Sequence, residues 1–291
     1  MKIFLHGIGF SKEFLPYVEQ LIAILESHQF TVFFTESFSK SLKKHTSKFQ
    51  SSHSIVSSSE ISEADFVVSV GGDGTLLDAV SMVGALEIPI IGINTGRLGF
   101  LATVAKENLE QAIDDLAHQQ YTIESRTLVC IESNRPLLNG LNFGLNEFTI
   151  HKRDTSSMIT VHTYINGQYL NSYWADGLIV ATPTGSTGYS LSCGGPLITP
   201  GAKNFVITPV SPHNLNVRPI IVPDDSEITF SIEGRSEKFL VSLDSRSTAI
   251  DASYQLKLRK ADFVAKLVKF QSYSYFDTLR QKLNWGFDMR N

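Results

Sequence analysis

Cysteine is nearly missing from this 291-residue chain: Cys130 and Cys193 stand alone and far apart, which excludes a disulfide framework and a thiolate metal site. Long hydrophobic runs are missing too. No stretch reaches the roughly 18 apolar residues of a membrane span, and Met1-Lys2-Ile3-Phe4-Leu5-His6 is too short for the apolar core of a signal peptide. There is no excess of positive charge. Lys and Arg number 25 against 29 Asp and Glu, a net charge of −4, so the chain carries no broad footprint for nucleic acid or an anionic membrane. These shortages point to a small-molecule or protein partner and a reducing cytoplasm. What the chain does have is apolar mass, 42% of its residues, enough for two ordinary cores.

The pattern divides the same way. Residues 2–6 read as a strand, Glu13–His28 as an amphipathic helix and Thr31–Thr35 as a second strand. Gly7-Ile8-Gly9 lacks the third glycine of a dinucleotide fingerprint, because position 12 is Lys, and a plain turn is the better reading. Ser37–Ser59, with few large apolar residues, reads as a solvated helix and loop, and its Lys43-Lys44 pair is given no role. Phe66–Val70 and Ile88–Ile93 are buried strands, and Lys106–His118 is an amphipathic helix. Strands alternating with helices predict an α/β, doubly wound parallel sheet whose ligand lies beyond the carboxyl ends of the strands. From Tyr121 to Lys260 short β-type runs replace the helical period, with Asn166-Gly167 as a hairpin turn. The expected division is an α/β domain over 1–119 and a β-rich domain over 120–270, with a C-terminal helix within 271–291, where Phe276, Leu279 and Leu283 recover a helical pattern.

Two constellations could carry chemistry. Gly71-Gly72-Asp73-Gly74-Thr75 follows a buried strand, and Thr75 opens the helical pattern Leu76, Leu77, Ala79, Val80, Val83. Amides of such a turn attract phosphate, and Gly71, Gly72, Gly74 and Thr75 offer that cradle. Asp73 would repel the same phosphate unless it held a cation or faced a hydroxyl proton, which suggests a base or metal-handling role in phosphoryl transfer. The alternative, that Asp73 caps the following helix, stays open on this stretch alone. The second constellation runs from Asp176 through Thr182-Pro183-Thr184-Gly185-Ser186-Thr187-Gly188-Tyr189-Ser190-Leu191-Ser192 to Pro196. Its hydroxyls suit ribose or phosphate oxygens and its glycines allow close approach. Cys193 reads as a packing residue, since no His lies near it in sequence.

These blocks, with Asn94–Leu101, Asn146-Glu147 and Ser211-Pro212-His213-Asn214-Leu215 followed by Arg218-Pro219, resemble the bacterial NAD kinases over nearly the whole chain. The first motif is shared with lipid and sugar kinases; together with Thr-Pro-Thr-Gly-Ser-Thr it is far more specific. The resemblance implies transfer of the terminal phosphoryl of ATP, or in some members polyphosphate, to the 2′-hydroxyl of the NAD adenosine ribose. It implies Asp73 as proton acceptor and Gly74 beside it. Asn146, Glu147, Asp176, Thr187, Gly188, Tyr189, Ser190, Leu191 and Ser192 would contact NAD. A divalent cation, Mg2+, would bridge the donor phosphates, with no protein side chain assigned to it, and the chain would form a homodimer or homotetramer.

Three positions depart from the family pattern. Gly188 stands where Ala is usual, and the missing methyl implies looser binding. Arg246 replaces a neutral amide and pairs either with a phosphate or with solvent. Trp174, where some members carry a basic residue, either stacks on a ligand ring or fills the β core, and the core is favoured because Trp in a strand buries area. A lipid or sugar kinase and a catalytically silent NADP-binding regulator are the rival readings. The Asp176–Pro196 block argues against the first and the intact Asp73 turn against the second.

Overall fold

A computed structural model describes residues 1–46, 48–49, 54–56, 58–96, 99–153, 157–235, 237–271 and 273–286. It divides into two units, Met1–Ser125 with Ala265–Asn291, and Arg126–Val264. In the first, β1 (Lys2–His6), β2 (Thr31–Thr35), β3 (Ile55–Val56), β4 (Phe66–Gly71), β5 (Ile90–Asn94), β6 (Tyr121–Arg126) and, from the far end of the chain, β19 (Ala265–Phe270) form a seven-stranded sheet. Its order is β3-β2-β1-β4-β5-β19-β6. β1 pairs in parallel with both β2 and β4, and β4 with β5, so the chain winds outward in both directions from the β1/β4 junction. This is the doubly wound arrangement the alternating pattern predicts, and Gly71 ends β4 at its carboxyl edge. Every residue of β4 and β5 is buried, which is why both read as unbroken apolar runs.

The helices of this unit are α1 (Leu15–Ser27), α2 (Glu36–Lys43), α3 (Asp73–Val83) and α4 (Leu109–Ala117). α1 buries Val18, Leu21, Ile22 and Leu25, one stripe at helical spacing. Each such side chain contributes about 1.5–3 kcal/mol, and truncating Leu21 to Ala would lose that and leave a cavity. Short 3₁₀ turns, Lys12–Phe14 and Lys106–Asn108, precede α1 and α4 where the periodicity predicts continuous helix. α2 corrects the expectation of a solvated segment. The Thr35 hydroxyl caps it by accepting the Phe38 amide at 3.3 Å, and Phe38 and Leu42, four residues apart, suffice to bury one face. Residues 47, 50–53 and 57 of that stretch lie outside the described residues. α3 begins at Asp73, two residues before the apolar pattern does, with Gly72 as its N-cap.

The second unit holds β7 (Val129–Ser133), β8 (Phe143–Gly144), β9 (Glu147–Lys152), β10 (Ile159–Ile165), β11 (Gln168–Ala175), β12 (Gly177–Ala181), β13 (Asn204–Val210), β14 (Ile220–Pro223), β15 (Ile228–Gly234), β16 (Phe239–Leu243), β17 (Arg246–Ile250) and β18 (Leu256–Lys260). They make two six-stranded sheets, β11-β10-β15-β18-β7-β8 and β14-β13-β12-β9-β16-β17. The described pairings within both are antiparallel. Asn166 and Gly167 join β10 to β11 with φ of 50° and 77°, the positive angles that a two-residue hairpin turn requires. Side chains of both sheets, among them Phe148, Leu178, Val161 and Phe230, share one core. β12 is buried on both faces, because Ile179 and Ala181 pack on its other side with Ile198, Val206 and Val210. The hydroxyl-rich segment leaves directly from this strand, passing through α5 (Tyr189–Ser192). After β19 the chain closes with α6 (Tyr275–Leu283), capped by the Ser274 hydroxyl; residues from 287 onward lie outside the described residues.

Candidate functional site

In the first unit, Gly71 to Thr75 form the strand-to-helix turn. The Thr75 and Leu76 amides close on the Gly72 carbonyl at 3.1 and 3.2 Å, leaving Gly72-Asp73-Gly74 as the open part of the cradle. A Cβ on Gly72 or Gly74 would meet nothing within 4 Å, whereas one on Gly71 would lie 2.2 Å from Thr75 Oγ1. Gly71 is therefore a packing glycine, while Gly72 and Gly74 leave the backbone approachable. Asp73 does not cap α3. Its carboxylate reaches instead to the segment after β5: Phe100 donates to Oδ2 at 2.9 Å, and Leu101 and Ala102 donate to Oδ1 at 3.1 and 3.0 Å. A Cβ on Gly99 would fall 1.8 Å from Asp73 Oδ1, so glycine is required there. Three amides thus hold a carboxylate that has about four acceptor sites, and the site left over is on Oδ2. Arg97 and Leu98 of the Asn94–Leu101 block lie outside the described residues.

In the second unit, a comparable clamp holds Asn146 and Glu147. Asp244 sits in the tight turn between β16 and β17 at φ 51°. Its Oδ2 accepts the Leu145 amide at 2.8 Å, and its Oδ1 accepts those of Asn146 and Glu147 at 2.8 and 3.2 Å. The Asp244 amide returns a bond to the Glu147 carbonyl at 3.0 Å. On its other side the 145–147 segment meets the hydroxyl-rich turn: Thr182 donates from its backbone to the Asn146 carbonyl at 2.9 Å and from its hydroxyl to the Leu145 carbonyl at 2.6 Å. A Cβ on Gly185 would strike the Asn146 carbonyl at 2.1 Å. Fixed in this way, Asn146 Oδ1 and Glu147 Oε2 are buried without hydrogen-bond partners among the described residues. Burial, and then the charge of Asp244, push the Glu147 carboxyl up to about 8. Asp244 itself is raised by burial, opposed by its three amide bonds.

The remaining predicted residues divide by what they touch. Ser190 Oγ pairs with Thr208 at 2.8 Å and Thr187 Oγ1 donates to the Thr184 carbonyl at 3.2 Å, so both hydroxyls have structural bonds. Thr184 accepts from the buried Arg126 at 3.1 Å. The Tyr189 hydroxyl lies 3.1 Å from His151 Nε2 with the two rings stacked, and Asp176 pairs with Lys152 at 2.6 Å. Gly188 adjoins Glu147: a methyl there would sit 3.2 Å from Oε2. Leu191 and Ser192 complete α5. Cys193 packs beside the outer β12 cluster, and burial raises its thiol, which fits a packing role.

Two expectations need correction. Trp174 is not in the β core: it is 49% exposed, because it points from β11, an edge strand, and packs against the His213 ring at 4.2 Å. Arg246 is not left to solvent. Its guanidinium donates to the carbonyls of Leu141 (3.0 Å) and Phe143 and lies over the Phe143 ring. Asp244, Arg126, Lys152 and His151 were not singled out from the sequence. Asp244 carried a signal nonetheless, as an Asp-Ser pair between two β-type runs. Among the described residues no group of three His, Cys, Asp or Glu side chains could hold a metal ion.

Residues 3–121 match the ATP-NAD kinase N-terminal domain family and residues 145–270 the ATP-NAD kinase C-terminal domain family. The chain belongs to the NAD kinase family. It is 51% identical over 288 residues to the NAD kinase of Cytophaga hutchinsonii, covering 99% of each chain. It is 44% identical over 290 residues to that of Bacteroides fragilis, covering 100% of both. Among solved structures, an Archaeoglobus fulgidus NAD kinase in complex with ATP superposes with a TM-score of 0.78 at 27% identity, over 98% of this chain and 99% of that one. Yeast NADH kinase complexed with NADH gives 0.88 at 20% identity, over 100% and 89%, a likeness of fold. The family resemblance read from the motifs is thus confirmed along the whole NAD kinase chain.

Proposed function

We propose that this chain is an ATP-dependent NAD kinase that makes NADP. The 2′-oxygen of the NAD adenosine ribose attacks the terminal phosphorus of ATP; the new O–P bond forms as the bridging P–O bond breaks, and ADP leaves. Asp73 takes the hydroxyl proton on the acceptor site left on Oδ2, while the amides around Gly72 and Gly74 face donor phosphate oxygens. Asn146, Glu147, Asp176 and the Thr187–Ser192 segment hold NAD, and Trp174 with His213 offers an exposed aromatic face to a ligand ring. The observation that carries the binding half is the pair of buried, unpartnered atoms Asn146 Oδ1 and Glu147 Oε2. Such atoms cost about 1–3 kcal/mol each until a ligand group meets them.

The described side chains offer no cage for a divalent cation. Mg2+ would instead ride on the triphosphate of ATP, as that ion commonly does, and no step above depends on it. A homodimer or homotetramer is supported by exposed apolar side chains, Leu215 at 83% and Ile221 on the edge strand β14; a monomer mass by light scattering would refute assembly. A cytoplasmic site, where Cys130 and Cys193 stay thiols, is checked by cell fractionation.

Incubation with NAD, ATP and Mg2+, followed by an NADP-specific dehydrogenase, tests the reaction. NADP above a no-enzyme control is expected, and its absence overturns the reading. Asp73→Asn should lose about 10²–10⁴-fold in turnover while NAD still raises the melting temperature. Full turnover in that variant would remove Asp73 from the proton-transfer step.

A further inference from the structure

We propose that Asp244 is a positioning residue of the NAD site, clamping residues 145–147 so that Glu147 meets the dinucleotide as a hydrogen-bond donor. This inference rests on the NAD kinase reading and assigns a protonation state to one of its contacts. The geometry comes first. Three successive amides and a returned backbone bond fix the peptide that carries Glu147, and the bonds from Thr182 fix it from the other side. With its backbone held, Glu147 has few ways to move Oε2 out of burial toward water, and that oxygen has no partner among the described residues.

An ionised carboxylate in that position would be buried with an unmet charge, close to a second carboxylate. Both effects favour the protonated acid, whose pKa of about 8 leaves it largely neutral at pH 7. The described surroundings supply no compensating cation. Among the described residues Asp244 is the one charge that acts on Glu147. Arg246 acts on Asp244 and spends its described hydrogen bonds on the Leu141 and Phe143 carbonyls. β12 places Ala181 opposite Glu147, and the 184–188 turn brings the Gly185 carbonyl and Gly188, none of them ionisable. A neutral carboxylic acid has one donor and can bond a ribose hydroxyl oxygen or a ring nitrogen, which a carboxylate cannot do.

Glu147→Gln keeps a neutral donor of nearly the same shape. We expect its NAD dissociation constant, measured by calorimetry, to stay within threefold of the unaltered protein at pH 7. Between pH 7 and 9 the unaltered protein should weaken by about tenfold and Glu147→Gln by less than twofold. Asp244→Asn should raise KM for NAD at least tenfold with kcat within threefold, and should move the pH at which NAD binding weakens downward. A tenfold loss of affinity at pH 7 in Glu147→Gln, or an unchanged pH profile in that variant, overturns the proposal even if Asp244→Asn does not fold. Failure of the unaltered enzyme to form NADP would count against the kinase reading instead, so the two failures are told apart.

Discussion

Asp73 and Asp244 perform the same act in different settings. Each follows the recipe of one carboxylate, three successive backbone amides and a glycine immediately before them: Gly99 then Phe100, Leu101 and Ala102; Gly144 then Leu145, Asn146 and Glu147. Asp73 stands at the first turn of a helix and Asp244 in a hairpin turn; both are half-buried, and at Asp244 burial opposes ionisation. The difference shows how one device serves two ends. Beside the open turn at Gly72 and Gly74 the carboxylate keeps an acceptor site for chemistry; beside Asn146 and Glu147 it sets the aim of its neighbours.

The comparison breaks first under truncation. Asp244→Ala orphans the amides of Leu145, Asn146 and Glu147, and Asp73→Ala those of Phe100, Leu101 and Ala102; each set lies at buried or half-buried residues, so each variant should lower the unfolding free energy by about 4 kcal/mol, since a buried unmet donor costs about 1–3 kcal/mol. Urea denaturation of the two variants decides, and a loss below about 1 kcal/mol in either would refute the clamp at that site.

The preceding glycines sharpen it. A methyl at Gly99 would lie 1.8 Å from Asp73 Oδ1, and one at Gly144 would lie 3.0 Å from Asp244 Oδ1. Gly99→Ala should cost about 2 kcal/mol and most of the turnover, Gly144→Ala about 1 kcal/mol or less. Melting curves and initial rates that rank the pair the other way would refute this account of the clamps.

The smallest effect belongs to Gly188→Ala. The backbone there has φ −95°, so a side chain is allowed, and the methyl approaches Glu147 Oε2 and the Gly185 carbonyl at 3.2 Å each. Stability should change by less than about 1 kcal/mol. A loss beyond about 2 kcal/mol by urea denaturation would mean that Glu147 has no room to yield.

Much of this was readable before any coordinates. The runs Phe66–Val70 and Ile88–Ile93, the Asn166-Gly167 turn and the glycine-rich turn at Asp73 announce themselves through local periodicity or backbone need, which sequence records directly. The helix of α2 was expected but its buried face was not readable, because two large buried residues leave little periodic signal. Trp174 went the other way: its type suggests burial, but its position on an edge strand decides exposure. Glu147 was named from its motif, but its tie to Asp244 escaped for a further reason. Their pairing joins residues about a hundred positions apart, and neither an unpaired oxygen nor a raised pKa exists until the two segments meet.

The double burial of β12 bears on motion. A strand packed on both faces should open only when its whole unit does, so the amides of Ile179 and Val180 should rank among the slowest to exchange with solvent. The Thr182–Ser192 segment hangs from that anchor and therefore begins from a narrow range of conformations. Little ordering entropy is then left for NAD to overcome on arrival.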